Sequence, residues 1–222
     1  MEVTIAAAAV LFDMDGVLVD SLACISQAWL AWAQSHGLDG EGTLALGHGR
    51  TTLDHIRLVA PHLANAREVA RVDSMEARFA SDVRVQPGAR ALTTALNALS
   101  ARWGVVTSAG SAAAAARLSA AGIEPPAVMV TTEDVERPKP APDGYLLGCA
   151  RLGAAPARAV VFEDAPAGIE AAHAAHIRVV ALATTHEAAE LSGADWIVAD
   201  LAHVVAAASD DSGGLAIRLR LL

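Results

Sequence analysis

The chain has 222 residues, of which 54% are hydrophobic and 18% are charged, so we expect a packed core rather than extensive disorder. Its formal net charge of −9 argues against a nonspecific nucleic-acid binder, which needs a basic face, but still allows a locally positive site for an anionic substrate. The length suits one large domain, or a core with a smaller insert.

The apolar pattern and the cysteines predict a cytoplasmic protein. The longest apolar run, residues 5–12, has 8 residues and is too short to cross a bilayer, and no secretory signal is visible. Cys24 and Cys149 are far apart, which favours a reduced setting. We expect no membrane or nucleic-acid partner, and a monomer or weak homodimer.

Short apolar runs alternate with helical patterns along most of the chain. Six runs predict strands, at 5–12, 103–107, 127–131, 159–162, 178–183 and 195–199. These runs are continuous, which is typical of strands buried on both faces of a parallel sheet. Helix-length segments lie between the later runs, at 111–122, 142–153 and 167–177. The repetition predicts an α/β fold with a doubly wound parallel sheet.

Residues 18–85 break this rhythm because they contain no strong strand signal. Apolar residues recur every three or four positions from Leu22 to Trp32, which predicts an amphipathic helix, and further helical patterns follow. We therefore predict a core made of residues 1–17 and 86–222, with a helical cap inserted at 18–85. At the other end of the chain, the alternation of apolar and polar residues from Leu215 onward predicts a half-exposed edge strand.

Four stretches place polar residues after a strand or in a loop between elements. In chain order they contain Asp13 and Asp15, Thr107 and Ser108, Lys139, and Glu163 with Asp164. Ligand sites in open α/β sheets lie at the carboxyl ends of the strands. Two carboxylates there are costly without a cation, and Mg²⁺ prefers oxygen ligands. Hydroxyls and free N–H groups at a strand-to-helix turn suit a phosphoryl group.

Each stretch alone also has an ordinary structural explanation. Asp15 fits an Asp-Gly turn, Ser108 fits a helix N-cap, and Glu163 fits the start of a helix, where the dipole favours acids. The order of the stretches and their shared place at one sheet edge favour a functional site.

The motifs DxDGVLVDS, VVTSAG, KPAPDGY and FEDAPAGI resemble those of the haloacid dehalogenase superfamily of aspartate-nucleophile phosphohydrolases. The resemblance spans nearly the whole chain, including a helical insert after the first motif. The motifs are similar to those of the subgroup that includes sugar phosphatases, glycerol-3-phosphatases, phosphoglycolate phosphatases and β-phosphoglucomutase. It implies a Rossmann-like core, a helical cap and Mg²⁺-dependent hydrolysis of phosphate monoesters.

The resemblance also implies a role for each matched acid. Asp13 would be the nucleophile that forms an aspartyl-phosphate, and Asp15 would protonate the leaving alcohol and then activate water. The Asp13 carboxylate, the Asp15 backbone carbonyl and the Asp164 carboxylate would hold Mg²⁺. Glu163 would ligate it directly or through water.

The same resemblance implies how the phosphoryl group is bound. Ser108, with backbone N–H groups nearby at Thr107 and Ala109, would bind phosphoryl oxygens. Lys139 would lie between the Asp13 carboxylate and the phosphate. Positioning and charge neutralisation would then supply most of the catalysis.

The cap distinguishes the branches of this superfamily. No lysine occurs between residues 17 and 85, so the phosphonatase branch, which needs a cap lysine for a Schiff base, is excluded. Trp29 matches the mutase group, but Ile25 stands where that group has a histidine, which disfavours a mutase. The loop LGHGR resembles that of the glycerol- and sugar-phosphatase group, and predicts that His48 and Arg50 select the leaving group, with a solvated loop as the alternative.

We therefore predict a Mg²⁺-dependent phosphatase of small phosphorylated sugars or polyols. Two narrower alternatives share the mechanism, a glycerol-3-phosphatase and a phosphoglycolate phosphatase. A β-phosphoglucomutase-like mutase and a non-catalytic protein that binds a phosphorylated ligand are disfavoured alternatives.

Overall fold

A computed structural model describes residues 1–47, 50–209 and 214–222 and contains a six-stranded parallel sheet. From one edge to the other, its strands are β6 (Val128–Val130), β5 (Trp103–Val106), β2 (Ala9–Phe12), β7 (Ala159–Glu163), β8 (Arg178–Leu182) and β9 (Trp196–Val198). Each of them overlaps a predicted run, and all neighbouring strands pair in parallel. The predicted doubly wound α/β fold is confirmed.

Helices cover both faces of this sheet, which explains why its strands are apolar throughout. Helices α5 (Ala89–Ala98) and α6 (Ser111–Ala120) lie on one face, and helices α7 (Asp143–Leu152) and α8 (Pro166–Ala174) lie on the other. Along β2, Val10 and Phe12 pack into the first apolar cluster, whereas Ala9 and Leu11 pack into the second. Successive side chains of a strand point to opposite faces, so every position of β2 is buried.

The segment predicted as a cap forms four helices around an apolar cluster of its own. They are α1 (Leu22–Ser35), α2 (Gly40–Ala45), α3 (Thr52–Val59) and α4 (Ala66–Arg78), with 3₁₀ turns at Pro61–Leu63 and Ala80–Asp82. Trp32 and Ile56 lie fully buried in that cluster. No helix in the described part of the chain is long and apolar enough to cross a membrane.

Two short strands pair where this insert leaves and rejoins the core. They are β3 (Val19–Asp20) and β4 (Arg84–Val85), which run antiparallel. The pair lies just inside the predicted boundaries of the insert. The division into residues 1–17 with 86–222 and residues 18–85 stays a prediction.

The chain ends form a second, antiparallel sheet that differs from the prediction. Its order is β1 (Glu2–Ala7), β11 (Leu215–Arg220) and β10 (Val204–Ala208). The prediction of an edge strand from Leu215 onward is therefore wrong, because β11 lies in the centre, although its alternating burial is confirmed. The run 5–12 also divides at Ala8 between the two sheets. Strand β10 escaped prediction because three of its five residues are alanine, which is depleted in strands.

Candidate active site

A cavity of about 260 Å³ lies between the helical insert and the carboxyl ends of the parallel strands. The core residues predicted for the site all line it, namely Asp13, Asp15, Thr107, Ser108, Ala109, Lys139, Glu163 and Asp164. The insert contributes Ile25, Trp29, Leu44, Arg50, His55 and Glu76. His48 lies outside the described residues, so its predicted role stays a prediction.

The first motif turns sharply at the end of β2. Asp13 follows that strand directly, and its N–H donates to the Phe162 carbonyl at 2.9 Å. Gly16 has a φ of +78°, and a Cβ there would lie 2.0 Å from Asp164 Oδ2. Only glycine adopts this backbone readily and leaves room for the neighbouring carboxylate. The turn therefore brings the first and fourth motifs into direct proximity.

Three buried carboxylates meet one ammonium group at this edge. Asp13, Glu163 and Asp164 place ligand atoms within 4.8 Å of one another. Lys139 Nζ donates to Asp13 Oδ1 at 2.5 Å and to Glu163 Oε1 at 2.7 Å. These four residues come from three separate motifs. The ends of the parallel strands β2 and β7 bring the carboxylates together, and Lys139 reaches them from the loop before helix α7.

The charge of this cluster is incompletely neutralised. Burial raises the pKa of Asp13 well above its usual range, against the opposing effect of Lys139. Burial and the neighbouring Glu163 raise the pKa of Asp164 to about 7. Burial alone would lower the pKa of Lys139, but Asp13 and Glu163 outweigh it and raise that pKa above its usual value. With all groups ionised, three carboxylates and one ammonium leave a surplus of two negative charges.

This donor set fits a divalent cation. Hard cations such as Mg²⁺ take carboxylate oxygens, and two positive charges would balance the surplus. Asp15 is not part of the three-carboxylate group, because its side chain is engaged elsewhere. The part assigned to its backbone carbonyl stays a prediction, as does the choice between direct and water-mediated ligation for Glu163.

Lys139 uses all three of its donors within the protein. Besides the two carboxylates, its Nζ donates to the Val106 carbonyl at 3.1 Å. An ammonium group has three N–H donors. Contact with a phosphate, as predicted from the resemblance, therefore requires Lys139 to exchange one of these three partners for a phosphoryl oxygen.

The turn after β5 places the Ser108 side chain at the cavity. Ser108 lines the cavity and is half-buried. The N–H of Thr107 donates to the Val130 carbonyl at 2.9 Å, and the N–H of Ala109 donates to Thr107 Oγ1 at 3.1 Å. Ser108 is therefore the better placed of the three for a phosphoryl oxygen, and the roles of Thr107 and Ala109 stay predictions.

Asp15 is held by two residues that the sequence did not single out. Ser21 donates its hydroxyl to Asp15 Oδ1 at 2.5 Å, and Arg117 donates Nη1 to Asp15 Oδ2 at 2.7 Å. Arg117 also donates Nη2 to Glu76 Oε2 at 2.5 Å. A sequence signal existed, because Arg117 is the single charged residue in the alanine-rich helix α6.

Two further residues support the carboxylates from outside the predicted set. Tyr145, the single tyrosine of the chain, is fully buried and donates its hydroxyl to Glu163 Oε1 at 2.6 Å. Thr185 donates its hydroxyl to Asp164 Oδ2. Tyr145 lies six residues beyond Lys139 in the same loop-to-helix segment, but nothing in that spacing indicates a contact with Glu163.

The insert side of the cavity combines apolar and polar groups. Trp29 packs against the His55 ring at a centroid distance of 3.8 Å, and His55 Nε2 lies 2.7 Å from the Thr43 carbonyl. Arg50 is exposed and donates Nε to the Leu46 carbonyl at 3.1 Å. Arg50 therefore lines the cavity, as its predicted role requires, while its selection of the leaving group stays a prediction.

Comparisons with known proteins agree with this geometry. Residues 7–176 match the family model of haloacid dehalogenase-like hydrolases. Hexitol phosphatase A of Escherichia coli is 41% identical over 197 residues, which cover 87% of this chain and 91% of that protein. Glycerol-1-phosphate phosphohydrolase 2 of Saccharomyces cerevisiae is 34% identical over 189 residues, which cover 81% of this chain and 76% of that protein.

Solved structures show the same fold. The crystal structure of CbbY from Rhodobacter sphaeroides in complex with phosphate superposes with a TM-score of 0.76 at 25% identity, over 88% of this chain and 95% of that chain. The matched family model covers well over half of the sequence and includes the motifs that surround the cavity. The chain belongs to the haloacid dehalogenase-like hydrolases.

Proposed function

We propose that this protein is a Mg²⁺-dependent phosphatase that hydrolyses small phosphorylated sugars or polyols through an aspartyl-phosphate. The observation that supports it most strongly is the buried cluster of Asp13, Lys139, Glu163 and Asp164 at the cavity floor. The cluster combines a carboxylate nucleophile, a fixed cation and a donor set for a divalent metal. These are the parts that phosphoryl transfer requires.

The reaction has two steps. In the first, a carboxylate oxygen of Asp13 attacks phosphorus, the bond from phosphorus to the alcohol oxygen breaks, and Asp15 gives that oxygen a proton. In the second, water attacks phosphorus, Asp15 takes a proton from the water, and the bond to Asp13 breaks with release of inorganic phosphate. Ser108 and Lys139 orient the phosphoryl oxygens. Mg²⁺, when bound, supplies charge neutralisation on the phosphoryl group.

The substrate class is inferred from relatives and from the cavity wall. A hexitol phosphatase and a glycerol-1-phosphate phosphohydrolase are among the relatives. The cavity combines the apolar Trp29 and Leu44 with the polar Thr52 and Arg50, which suits a small polyol chain. Ile25 lines the wall where the mutase group has a histidine, which continues to disfavour a mutase. Glycerol-3-phosphate and phosphoglycolate remain the narrower alternatives.

The cellular compartment, the bound metabolite and the oligomeric state of this protein are also proposals. Cys24 and Cys149 are buried and unpaired, which supports a reducing compartment such as the cytoplasm. We propose a small phosphorylated metabolite as the partner of the cavity, and a monomer or weak homodimer as the assembly.

Removal of the metal is the first test of this function. We expect EDTA to lower hydrolysis of p-nitrophenyl phosphate by roughly 100-fold or more, because the carboxylate surplus would then repel the phosphate. Added Mg²⁺ at about 100 times its Kd should raise Tm by roughly 5 °C or more, since a ligand of the native state stabilises it. Hydrolysis that EDTA leaves unchanged would contradict the metal requirement. A rise in Tm without any hydrolysis would favour the non-catalytic binder.

Replacement of Arg50 tests the selection of the leaving group. We expect Arg50→Ala to raise KM for sugar and polyol phosphates by roughly 10-fold with little change in kcat, because Arg50 belongs to the insert side of the cavity wall and not to the cluster at the strand ends. The measurement is kcat and KM over a panel of sugar, polyol and glycolate phosphates. Arg57→Ala is the matched control, since Arg57 belongs to the same insert and pairs with Asp54 away from the cavity. An unchanged KM and an unchanged substrate ranking would exclude this role for Arg50.

A further inference from the structure

Arg117 is a buried arginine that joins the first motif to the helical insert. It lies on helix α6 of the core and is only 2% exposed. One arm of its guanidinium contacts Asp15 at 2.7 Å, and the other contacts Glu76 of helix α4 at 2.5 Å. Asp15 and Glu76 are 61 residues apart in the chain. Because Arg117 lies in the core and Glu76 in the insert, the contact between these two side chains spans the boundary between core and insert.

Stability alone is a weak explanation for this arrangement. Removing charges from water costs several kcal/mol per ion, and a buried ion pair often contributes no net stability. Arg117 Nε, moreover, has no hydrogen-bond partner among the described residues. The planar guanidinium does provide two terminal NH₂ groups in a rigid geometry, which fixes the relative orientation of two carboxylates.

The carboxylate of Asp15 is thereby oriented from two sides. Ser21 occupies Oδ1 and Arg117 occupies Oδ2. A carboxylate has about four lone-pair positions, so these two contacts leave about two, and one of these can carry the proton that passes to or from the reacting oxygen. Asp15 is part of the cavity lining, with a side chain that is 26% exposed. Its free positions are therefore set by the direction from which Arg117 approaches.

We propose that Arg117 is a positioning residue for the acid–base group Asp15, and that Glu76 holds Arg117 in place from the insert. The position of helix α4 then determines where Asp15 points, so the insert influences proton transfer through the contact between Glu76 and Arg117. This inference rests on the proposed function, because it assumes that Asp15 protonates the leaving alcohol.

A comparison of leaving groups tests this role. An alkoxide needs a proton as it departs, whereas p-nitrophenolate departs without one, so only the alkyl substrate depends on an aligned acid. The parameter to compare is kcat/KM, which reports steps up to the departure of the leaving group. We expect Arg117→Met to lower kcat/KM for sorbitol 6-phosphate by roughly 100-fold, and for p-nitrophenyl phosphate by less than about 3-fold.

Three further variants separate a positioning role of Arg117 from an effect on folding. Glu76→Gln should reproduce the selective loss in weaker form, by roughly 10-fold for sorbitol 6-phosphate, because Arg117 keeps its contact with Asp15 but loses its anchor. Glu68→Gln is the matched control, since Glu68 is also a buried glutamate of helix α4 but contacts Trp32 and His36 instead. In an Asp15→Asn background, Arg117→Met should have no further effect on the alkyl substrate.

The possible outcomes distinguish this inference from the proposed function. Equal losses for both substrates, or an additive loss in the Asp15→Asn background, would show that Arg117 only stabilises the fold. If Arg117→Met does not fold, the selective loss in Glu76→Gln decides the matter. If the unsubstituted protein hydrolyses neither compound in the presence of Mg²⁺, the proposed function itself is overturned.

Discussion

Asp13→Asn should abolish phosphatase activity while the protein stays folded. We expect kcat to fall by about 10⁴-fold or more, because an amide cannot attack phosphorus and no other carboxylate occupies the same position. The fold should tolerate the change, since burial already disfavours the charged form of Asp13 and raises its pKa. A raised pKa means that ionised Asp13 costs stability at neutral pH. This cost shrinks as the pH falls below the folded pKa of Asp13 and is gone only below its unfolded pKa of 3.8. The metal-free variant should therefore melt no earlier than the unsubstituted protein at neutral pH.

The measurements are hydrolysis of p-nitrophenyl phosphate and thermal unfolding at neutral pH. Asp134→Asn is a matched control, because Asp134 lies outside the cavity and its pKa is lowered by hydrogen bonds from Arg151 and Thr131. Asp134→Asn should leave kcat within about 3-fold of the unsubstituted value, and it should lower the free energy of unfolding rather than raise it. Residual turnover above about 1% in Asp13→Asn would show that Asp13 is not the nucleophile.

Lys139→Arg should lower kcat by roughly 10²- to 10³-fold although the positive charge is conserved. The ammonium of Lys139 fits among three acceptors, on Asp13, Glu163 and the Val106 backbone, at 2.5 to 3.1 Å. A guanidinium is wider and planar, so it cannot donate to the same three atoms from one point. Lys139 is the single lysine of the chain, and the other 15 of its 16 lysine and arginine residues are arginine, which fits a requirement for a compact cation at this one position.

The charge and the shape of this cation can be separated experimentally. Lys139→Met leaves three carboxylates without a cation, and breaking such a buried pair costs about 3–5 kcal/mol, so its metal-free Tm should drop clearly. Lys139→Arg keeps the charge and should remain closer to the unsubstituted protein in Tm while losing activity. Arg151→Lys is the reverse exchange, at an exposed ion pair with Asp134. It should change neither the Tm nor the activity. Near-normal turnover of Lys139→Arg would refute the argument from shape.

Local pattern was sufficient to predict the parallel sheet and the acids at its edge. A strand buried on both faces must be apolar throughout, so the six runs were visible one by one. The polar residues that follow them had to meet, because the carboxyl ends of parallel strands lie at one edge. Asp13, Glu163 and Asp164 are close together for that reason, and the resemblance to a known family assigned Lys139 to the same site.

These local patterns do not predict contacts that depend on how whole helices and strands pack against one another. The alternation in β11 indicated one buried face, but whether the strand lies at an edge or in the centre depends on β10, whose alanines give no strand signal. Tyr145 reaches Glu163 only because helix α7 packs on the sheet face formed by β5, β6 and β2.

The amino-acid sequence by itself therefore determined the fold class and the family, and it predicted which residues lie at the strand ends, since each of these follows from a repeat or a motif of a few residues. The tertiary structure alone decided that Arg117 joins Asp15 to Glu76. That contact depends on the distance and angle at which the insert packs against the core. Burial of apolar side chains sets these two quantities across many residues, and no local spacing in the chain encodes them.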